Sequence, residues 1–413
     1  MHIKPIILLL FISFTTVGQT LESYYYDSGQ LKEEGHRKEN QKNGPWLAYY
    51  ESGNVSYTGS YNSGQKTGLW KYFFSNSRLE SSGHYLNGQK TGEWIQYYPE
   101  GPIAVTLNYV DGQKNGTVQH FYHNGQLMDE QIYELGQLNG TCIAYYKSGK
   151  IASKGLYKAG KKQGVWTSYY SSGQLSSEGA YQEGTKEGQW SIFHENGQPQ
   201  KKAYFNEGLA NKEVRIYYRN GQLFESSGYI DGFKDGGWQS YYENGQTKEK
   251  GSYIDGQKSD TWSYFFANGQ LKYTGQFEAG VHQGDWVFYH INGQNHYSLH
   301  YDDGKENGLY ESYQQDGSLL EKGRYIEGAK DGLWKRYHSN GRLEYSCNYK
   351  NRQLEGAAIV YYDNGKIKLN GAYLKGQLQG SWTYYYDNGQ LEHKITYKMD
   401  RIDGAWASYY FVQ

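Results

Sequence analysis

The sequence predicts an all-β protein, an elongated and open repeat array of antiparallel β-hairpins in a single-layer twisted sheet. Three observations support this fold class. The eleven Trp residues differ in position by multiples of 24, two glycine-containing turn signals recur in the same phase, and the runs of five to seven residues between the turns alternate aromatic with polar residues. Regular turns between short alternating runs are typical of hairpins, and a fixed period indicates a repeat architecture.

The 24-residue phase continues without insertion or deletion from Glu22 to Trp406. Counting Trp as position 0, the unit reads W-x-x-Y-Y-x-N-G-Q-L-x-x-x-G-x-Y-x-x-G-Q-K-x-G-x, and position 3 is aromatic in all seventeen copies. We expect one continuous array of about sixteen repeats over residues 19–413. The tryptophans that mark the period are Trp46, Trp70, Trp94, Trp166, Trp190, Trp238, Trp262, Trp286, Trp334, Trp382 and Trp406.

Two turns bound the strands of each unit. Asn-Gly at positions 6 and 7, as in Asn124-Gly125, is a strong hairpin signal, and a second turn recurs at segments such as residues 87–90, Asn-Gly-Gln-Lys. A two-residue Asn-Gly turn places position 0 opposite position 13 of its own unit. A turn at Gly-Gln, positions 18 and 19, places position 13 opposite the next Trp and position 15 opposite the glycine at position 22, as for Tyr85 and Gly92.

The copies themselves support the pairing of position 13 with the next Trp. Wherever position 13 is Gly, the residue eleven places later is Trp, so we predict that each indole ring lies over a bare glycine. These glycines are Gly35, Gly59, Gly83, Gly155, Gly179, Gly251, Gly275, Gly323 and Gly371. Seven copies lack the glycine, and five of them also lack the Trp, as in the pair Leu107 and Val118; the exceptions are Ser227 with Trp238 and Ile395 with Trp406.

The alternation of strand residues then predicts two different faces. One face carries positions 0, 4, 9 and 15, and the opposite face carries the aromatic residue of position 3 among polar residues. Rings in a row bind sugars or anchor a protein partner, although they also stiffen a single-layer sheet. The candidate binding surface is this row, represented by Tyr49, Phe73, Tyr97, Phe121, Tyr145 and Tyr169.

A known family resembles this unit. Residues 59–68, GSYNSGQKTG, resemble the MORN repeat, whose core is Y-x-x-G-x-x-x-G, and the added W-x-x-Y-Y-x-N-G-Q-L is similar to the bacterial variant of that repeat. The resemblance extends from about Tyr24 to Tyr410. It implies an elongated sheet of successive hairpins and the roles described for such arrays: membrane association, protein docking and, in some bacterial variants, antitoxin-like function.

The first residues predict export. Lys4 precedes an apolar run over residues 5–14, and small residues follow up to Gly18. This is the order of a secretory signal peptide, residues 1–18, and the run is shorter than the roughly 20 apolar residues that span a bilayer. We therefore expect cleavage after Gly18, no transmembrane segment in the remaining chain, and an address in the periplasm, at the cell surface or in the medium.

Charge and reactive residues indicate no chemistry. The formal net charge is −1, from 42 basic and 43 acidic residues, so we expect no nucleic-acid partner. By the predicted register His296 and His300 lie on the face opposite His290, so no metal site is predicted. Cys142 and Cys347 fit small positions of the core, and pairing between chains stays open.

The sequence also lacks a nucleophile elbow, a phosphate loop or a pair of catalytic carboxylates, so we expect no enzyme and no cofactor. The favoured hypothesis is a non-catalytic exported scaffold that binds a protein. The alternatives are a glycan-binding or cell-wall-binding module and an antitoxin-like or immunity-like protein.

Overall fold

A computed structural model describes residues 18–404 and 406–409. The predicted signal peptide falls on residues 1–17, outside the described part, apart from Gly18. Backbone contacts divide the chain into an N-terminal unit, Met1–Gly197, and a C-terminal unit, Gln198–Gln413. Each unit is treated by itself below, and one continuous array over residues 19–413 stays a prediction.

The predicted all-β class is confirmed, since the described residues form 35 strands and no helix. The strands of the N-terminal unit are β1 (Thr20–Tyr25), β2 (Leu31–Lys38), β3 (Gln41–Tyr49), β4 (Val55–Asn62), β5 (Gln65–Phe73), β6 (Leu79–Leu86), β7 (Gln89–Tyr97), β8 (Ile103–Val110), β9 (Gln113–Lys114), β10 (Gly116–Phe121), β11 (Leu127–Glu134), β12 (Gln137–Tyr145), β13 (Ile151–Lys158), β14 (Lys161–Tyr169), β15 (Leu175–Gln182) and β16 (Thr185–Phe193).

The C-terminal unit continues the same pattern. Its strands are β17 (Pro199–Asn206), β18 (Leu209–Tyr217), β19 (Leu223–Ile230), β20 (Phe233–Tyr241), β21 (Thr247–Ile254), β22 (Gln257–Phe265), β23 (Leu271–Glu278), β24 (Val281–Tyr289), β25 (Asn295–Asp302), β26 (Lys305–Tyr313), β27 (Leu319–Ile326), β28 (Ala329–Tyr337), β29 (Leu343–Lys350), β30 (Gln353–Tyr361), β31 (Ile367–Leu374), β32 (Gln377–Tyr385), β33 (Leu391–Lys398), β34 (Arg401–Ile402) and β35 (Ala407–Ser408). In both units strands that follow one another in the chain pair antiparallel, as β14 does with β15, except that β9 and β10 both pair with β8 and that β34 and β35 both pair with β33.

The first turn of each 24-residue repeat is longer than the predicted Asn-Gly pair. In the loop of residues 50–54, the N–H of Gly53 donates to the carbonyl of Tyr50 over 2.8 Å, and the N–H of Tyr50 donates to the carbonyl of Asn54 over 2.7 Å. Gly53 has φ +85°, a left-handed conformation that closes such a loop and favours glycine.

A one-residue β-bulge follows this loop and restores the predicted register. Tyr49 lies opposite Val55, the pairing then shifts by one residue, and Trp46 lies opposite Gly59. The predicted pairing of position 0 with position 13 is therefore confirmed, although the turn that produces it is different from the predicted one.

The second turn begins one residue earlier than predicted. Asn87 and Gly88 have φ +48° and +80°, and Leu86 pairs with Gln89 across them. Two successive residues with positive φ form the mirror-image turn that suits twisted hairpins. The predicted turn at positions 18 and 19 is wrong, and the turn lies at positions 17 and 18.

Two extra residues in the following strand compensate for that shift. Tyr85 lies opposite Lys90 rather than Gly92, and the pairing then jumps so that Gly83 lies opposite Trp94. Gly92, with φ +62°, is one of the two residues passed over. The predicted Tyr85–Gly92 partnership is wrong because of this bulge, and the predicted Gly83–Trp94 partnership is confirmed.

The bulges also change which positions share a face. Phe73 at position 3 lies opposite Leu79 at position 9, so the two side chains share a face, and the predicted place of position 9 beside Trp is wrong. Positions 2 and 11 take its place on the face that carries the tryptophans of position 0, which we call the tryptophan face. One core cluster there contains the buried Trp94, Leu107 and Val118 and, packed against them, Tyr72, Tyr85, Val105, Tyr109 and Tyr133.

Candidate functional site

The tryptophan face is built on the predicted contact between ring and glycine. A β-carbon added to Gly155 would overlap the indole ring of Trp166, and the same holds for all nine pairs of a position-13 glycine with the next Trp. Any side chain at these glycines would displace the ring. The ring-over-glycine prediction is thus confirmed at every position where the sequence placed it.

Each of these rings is also held by a hydrogen bond that the sequence did not reveal. The indole N–H of Trp94 donates to the backbone carbonyl of His84, ten residues earlier, over 3.1 Å. That carbonyl belongs to the residue just after the glycine Gly83. The same bond, at 2.9–3.3 Å, is made by Trp46, Trp70, Trp166, Trp190, Trp262, Trp286, Trp334 and Trp382.

The outer side of each ring is covered by lysine and tyrosine. The ammonium of Lys90 lies 4.1 Å from the ring centroid of Trp94, and Tyr85 meets the same ring edge-on, with centroids 5.1 Å apart. Burial lowers the pKa of Lys90. Trp94 is consequently only 1% exposed in a sheet with no second layer over it. This face is filled by the protein's own side chains.

The six aromatic residues of the candidate binding surface lie on the opposite face. Tyr49 and Trp46 are three residues apart in one strand, so their side chains project in opposite directions. Tyr49 is half-buried, and its hydroxyl donates to Glu34 Oε1 over 3.1 Å. Burial and Glu34 raise the pKa of Tyr49 to about 12. The other five are half-buried as well: Phe73, Tyr97, Phe121, Tyr145 and Tyr169.

A shallow hollow of about 540 Å³ lies on the same face of the C-terminal unit. Its lining includes Ser226, Gly237, Ser252 and Thr261. Each of these four residues is next in sequence to a residue of the tryptophan face, so its side chain projects to the opposite face. Their small side chains leave the backbone of the sheet accessible. Gln239 and Lys250 line it as well, so the hollow offers hydroxyl, amide and ammonium groups rather than a closed apolar pocket.

Position 4 forms a separate row along the first-turn edge. The hydroxyl of Tyr50 donates to the carbonyl of Phe73, 23 residues later, over 2.6 Å, and the ring nitrogens of His290 and His338 make the same bond to the corresponding carbonyls. Position 4 therefore joins successive hairpins and is structural. The tyrosine donors are Tyr26, Tyr50, Tyr98, Tyr122, Tyr146, Tyr170, Tyr218, Tyr242, Tyr362 and Tyr386.

The predicted separation of His290 from His296 is wrong. Their rings lie 4.2 Å apart, because the bulge after the first turn brings position 10 beside position 4. Burial and the neighbouring His290 lower the pKa of His296. His300 instead contacts Asp285 over 2.7 Å. Across residues 18–404 and 406–409, no group of three or more His, Cys, Asp or Glu is placed to hold a metal ion.

Both cysteines are unbonded thiols within the described residues. Cys347 is buried in a core cluster with Trp334, Ala358 and Trp382, whereas Cys142 is half-buried. Burial raises the pKa of each thiol. These surroundings agree with small core packing.

The sequence model of one known family matches this chain over more than half of its length. The matching description is "MORN repeat variant", and it fits residues 20–39, 42–63, 90–111, 114–134, 138–159, 162–183, 186–207, 234–255, 261–279, 330–351, 354–373 and 378–399. The chain belongs to the MORN repeat variant family. The predicted membership is confirmed, and the half-buried aromatic row and the tryptophan face are therefore features of a MORN-variant array.

Among curated proteins none matches this MORN-variant chain. Among solved structures, the crystal structure of TcdB2-TccC3-Cdc42 aligns with 12% identity over 95% of this chain and 23% of that one, at a TM-score of 0.16. The Photorhabdus luminescens Tc holotoxin pore with the mutation TccC3-D651A aligns with 13% identity over 94% and 26%, at 0.15. The chain thus spans about a quarter of the length of these solved chains.

No helix in the described part of this MORN-variant chain is long and apolar enough to cross a membrane.

Proposed function

We propose that this MORN-variant chain is a non-catalytic scaffold that binds a protein partner through the face opposite the tryptophans. Membership in the family supports a binding role for the array. The face of position 3 repeats the same half-buried ring every 24 residues, so it presents many equivalent anchors to one partner.

The observation that carries this proposal is the difference between the two faces in how far their aromatic rings are exposed. The nine tryptophan rings that lie over a glycine are buried, as Trp70 and Trp262 are beneath lysine and tyrosine, so they offer little surface to a partner. The opposite face of the N-terminal unit retains the partly exposed aromatic row, and the corresponding face of the C-terminal unit has the hollow beside Ser226. A partner on that face gains contact with rings without displacing any part of the core.

A pair of neighbouring residues tests the proposal directly. Ile95 and Gln96 are both half-buried in β7, and strand alternation places Ile95 on the position-3 face and Gln96 on the tryptophan face. Either one is replaced by p-benzoylphenylalanine in the full chain, and the host cells are irradiated. We expect protein adducts from position 95 and few from position 96, identified by mass spectrometry.

Three results would count against this assignment. Equal adducts from both positions would show contact without a preferred face, and no adduct from either would remove the protein partner. Retention of the purified chain on an insoluble polysaccharide, with release by the soluble sugar, would favour the glycan-binding alternative.

The scaffold acts, on this proposal, outside the cytoplasm. The support is the order of Lys4, the apolar run of residues 5–14 and Gly18. Intact-mass measurement of the fractionated protein should find a chain beginning at Gln19 in the periplasm, at the surface or in the medium. A chain that keeps Met1 and stays in the cytoplasm would refute export.

A further inference from the structure

Large apolar side chains are exposed along the second-turn edge of the C-terminal unit. Phe233 is 65% exposed, Ile254 57%, Ile230 55%, Leu209 50% and Val281 40%. They occupy positions 16 and 19, which flank the second turn of four successive hairpins. We call these five residues the apolar edge.

The side chains of the apolar edge form a row rather than isolated points. Ile230 and Phe233 are direct cross-strand partners. Leu209 leans over the next turn, with its Cδ2 3.6 Å from where a β-carbon on Gly232 would lie, and Phe233 leans in the same way over Gly256 at 3.8 Å. Leu209 and Phe233 therefore reach the next hairpin, and Val281 reaches the turn at Gly304 in the same way, whereas at the turn between Phe233 and Val281 position 19 is Gln257 and Ile254 supplies the apolar side chain.

The same edge of the N-terminal unit is polar at position 19. Seven of its hairpins carry Gln, Lys or Thr there, for example Gln65, Gln89 and Lys161. The apolar residues Leu209, Phe233 and Val281 are exposed at this position, so they serve no core. Exposed apolar rows in soluble domains mark surfaces that bind something.

Acidic residues surround the apolar edge. Asp231 and Asp255 lie in its turns, and Asp235 accepts a hydrogen bond from the N–H of Asp255 over 3.2 Å. None of these three carboxylates forms an ion pair with a side chain of the described residues. The nearby Lys234 and Lys258 do not neutralise these carboxylates, because both ammonium groups lie over tryptophan rings of the tryptophan face.

The spacing of the turns decides which partner conformation fits. Successive second turns are two strand spacings apart, about 10 Å. A helix places equivalent side chains seven residues, about 10.5 Å, apart, whereas in a strand the nearest same-face repeats are about 7 and 13 Å. Four turns span about 30 Å, the length of a helix of about 20 residues.

We propose that the apolar edge binds an amphipathic helix of a partner protein, with apolar residues in a seven-residue pattern and lysine or arginine beside them. The basic side chains face Asp231, Asp235 and Asp255, and the apolar ones pack on Phe233 and its neighbours. This assignment rests on the proposed scaffold function and gives the chemistry of one partner segment.

The test uses three synthetic peptides and fluorescence anisotropy with the full mature chain. One peptide repeats LKKLLKL three times, which is apolar on one helical face; the second repeats LKLKLKL, with the same composition in a strand pattern; the third repeats LEELLEL. We expect the first to bind at least about tenfold more tightly than the other two. Equal binding of the strand-pattern or the acidic peptide would overturn the proposal.

Variants assign that binding to the edge. Ile230→Thr with Phe233→Gln should weaken it about tenfold, and Asp231→Asn with Asp255→Asn should weaken it and flatten its salt dependence. Asn tolerates the positive φ of these turns, so the second pair keeps the test valid if the first pair unfolds. The matched control, Leu86→Thr with Val110→Thr on the N-terminal unit, should change binding less than twofold.

Two further results would refute the helix-binding edge. One is equal loss of binding in the control variant. The other is a dimer in sedimentation that Ile230→Thr with Phe233→Gln dissociates, which would assign the edge to a second copy. Cross-links from position 95 are independent of these outcomes, so failure of the peptides alone leaves the scaffold function standing.

Discussion

Hairpins that keep the position-13 glycine and hairpins that lose it fill the same space with different side chains. Trp94 over Gly83 is 1% exposed, and in the altered hairpin Leu107 is 3% exposed and Val118 fully buried. Both arrangements belong to one core cluster. The comparison teaches that Leu107 and Val118 together fill the space that Gly83 and Trp94 fill one hairpin earlier, whereas the smaller buried pair Cys347 and Ala358 shows that not every altered hairpin keeps that volume.

The pair Ser227 and Trp238 follows neither arrangement. Ser227 is 1% exposed and keeps its β-carbon and hydroxyl where the other repeats have glycine. Trp238 is only half-buried, and its indole N–H donates to no backbone carbonyl, unlike those of the nine rings that lie over glycine. A ring that cannot lie flat on its neighbour therefore loses both burial and its bond to the backbone.

Removing an indole ring that lies over a glycine should produce the largest loss of stability. We expect Trp166→Ala to destabilise the N-terminal unit by about 3–5 kcal/mol, because the cavity over Gly155 has no second layer to collapse into it. Hydrogen exchange of the amides in β13–β16 and denaturant unfolding measure the change. Tyr146→Phe, which loses one hydroxyl at the edge, is the mild control. Unaltered exchange in those strands would refute the ring-over-glycine contact.

Converting a regular hairpin into an altered one should reveal the shared volume. Gly155→Leu alone is expected to cost more than about 2 kcal/mol, since its side chain overlaps the indole ring of Trp166. Adding Trp166→Val should recover much of that loss, as Leu107 and Val118 do naturally. A double-mutant cycle from chemical denaturation gives the coupling, and additive losses would contradict the idea that these two positions share one volume.

Repairing the exceptional pair should stabilise the C-terminal unit. Ser227→Gly is expected to add about 1 kcal/mol, because the Trp238 ring gains burial and its N–H gains a carbonyl partner, against the cost of a more flexible backbone. Thermal unfolding measures the shift. Ser226→Gly, one residue away on the opposite face, should destabilise slightly, and the same sign for both variants would disprove the repair.

The lysine cover should have the smallest effect. Lys90→Met keeps the length of the side chain over Trp94 but removes the charge, with an expected loss of about 0.5–1 kcal/mol. Lys71→Met, at an exposed site on the opposite face, serves as the control and should be neutral. Indistinguishable unfolding midpoints for the two variants would show that the ammonium contributes only through its stem.

The repeat predicted the strand pairing correctly because the error in the second turn was offset by a bulge in the next strand. The predicted second turn was misplaced by one residue, and the bulge at Gly92 offset it, so Gly83 still meets Trp94. Local turn types depend on a few φ angles that many sequences allow, whereas the seventeen copies constrain the pairing repeatedly. Predictions about faces that relied on the turns, such as the separation of His290 from His296, therefore failed.

The sequence by itself determined the period, the all-β class, the family and the partners Gly and Trp, because those follow from residue identities repeated at fixed spacing. Only the tertiary structure decided where the indole N–H and the Lys90 ammonium go and how the edge around Phe233 lines up. These contacts join residues through bulges and neighbouring hairpins. Their geometry depends on backbone angles and side-chain rotamers, which a spacing pattern does not contain.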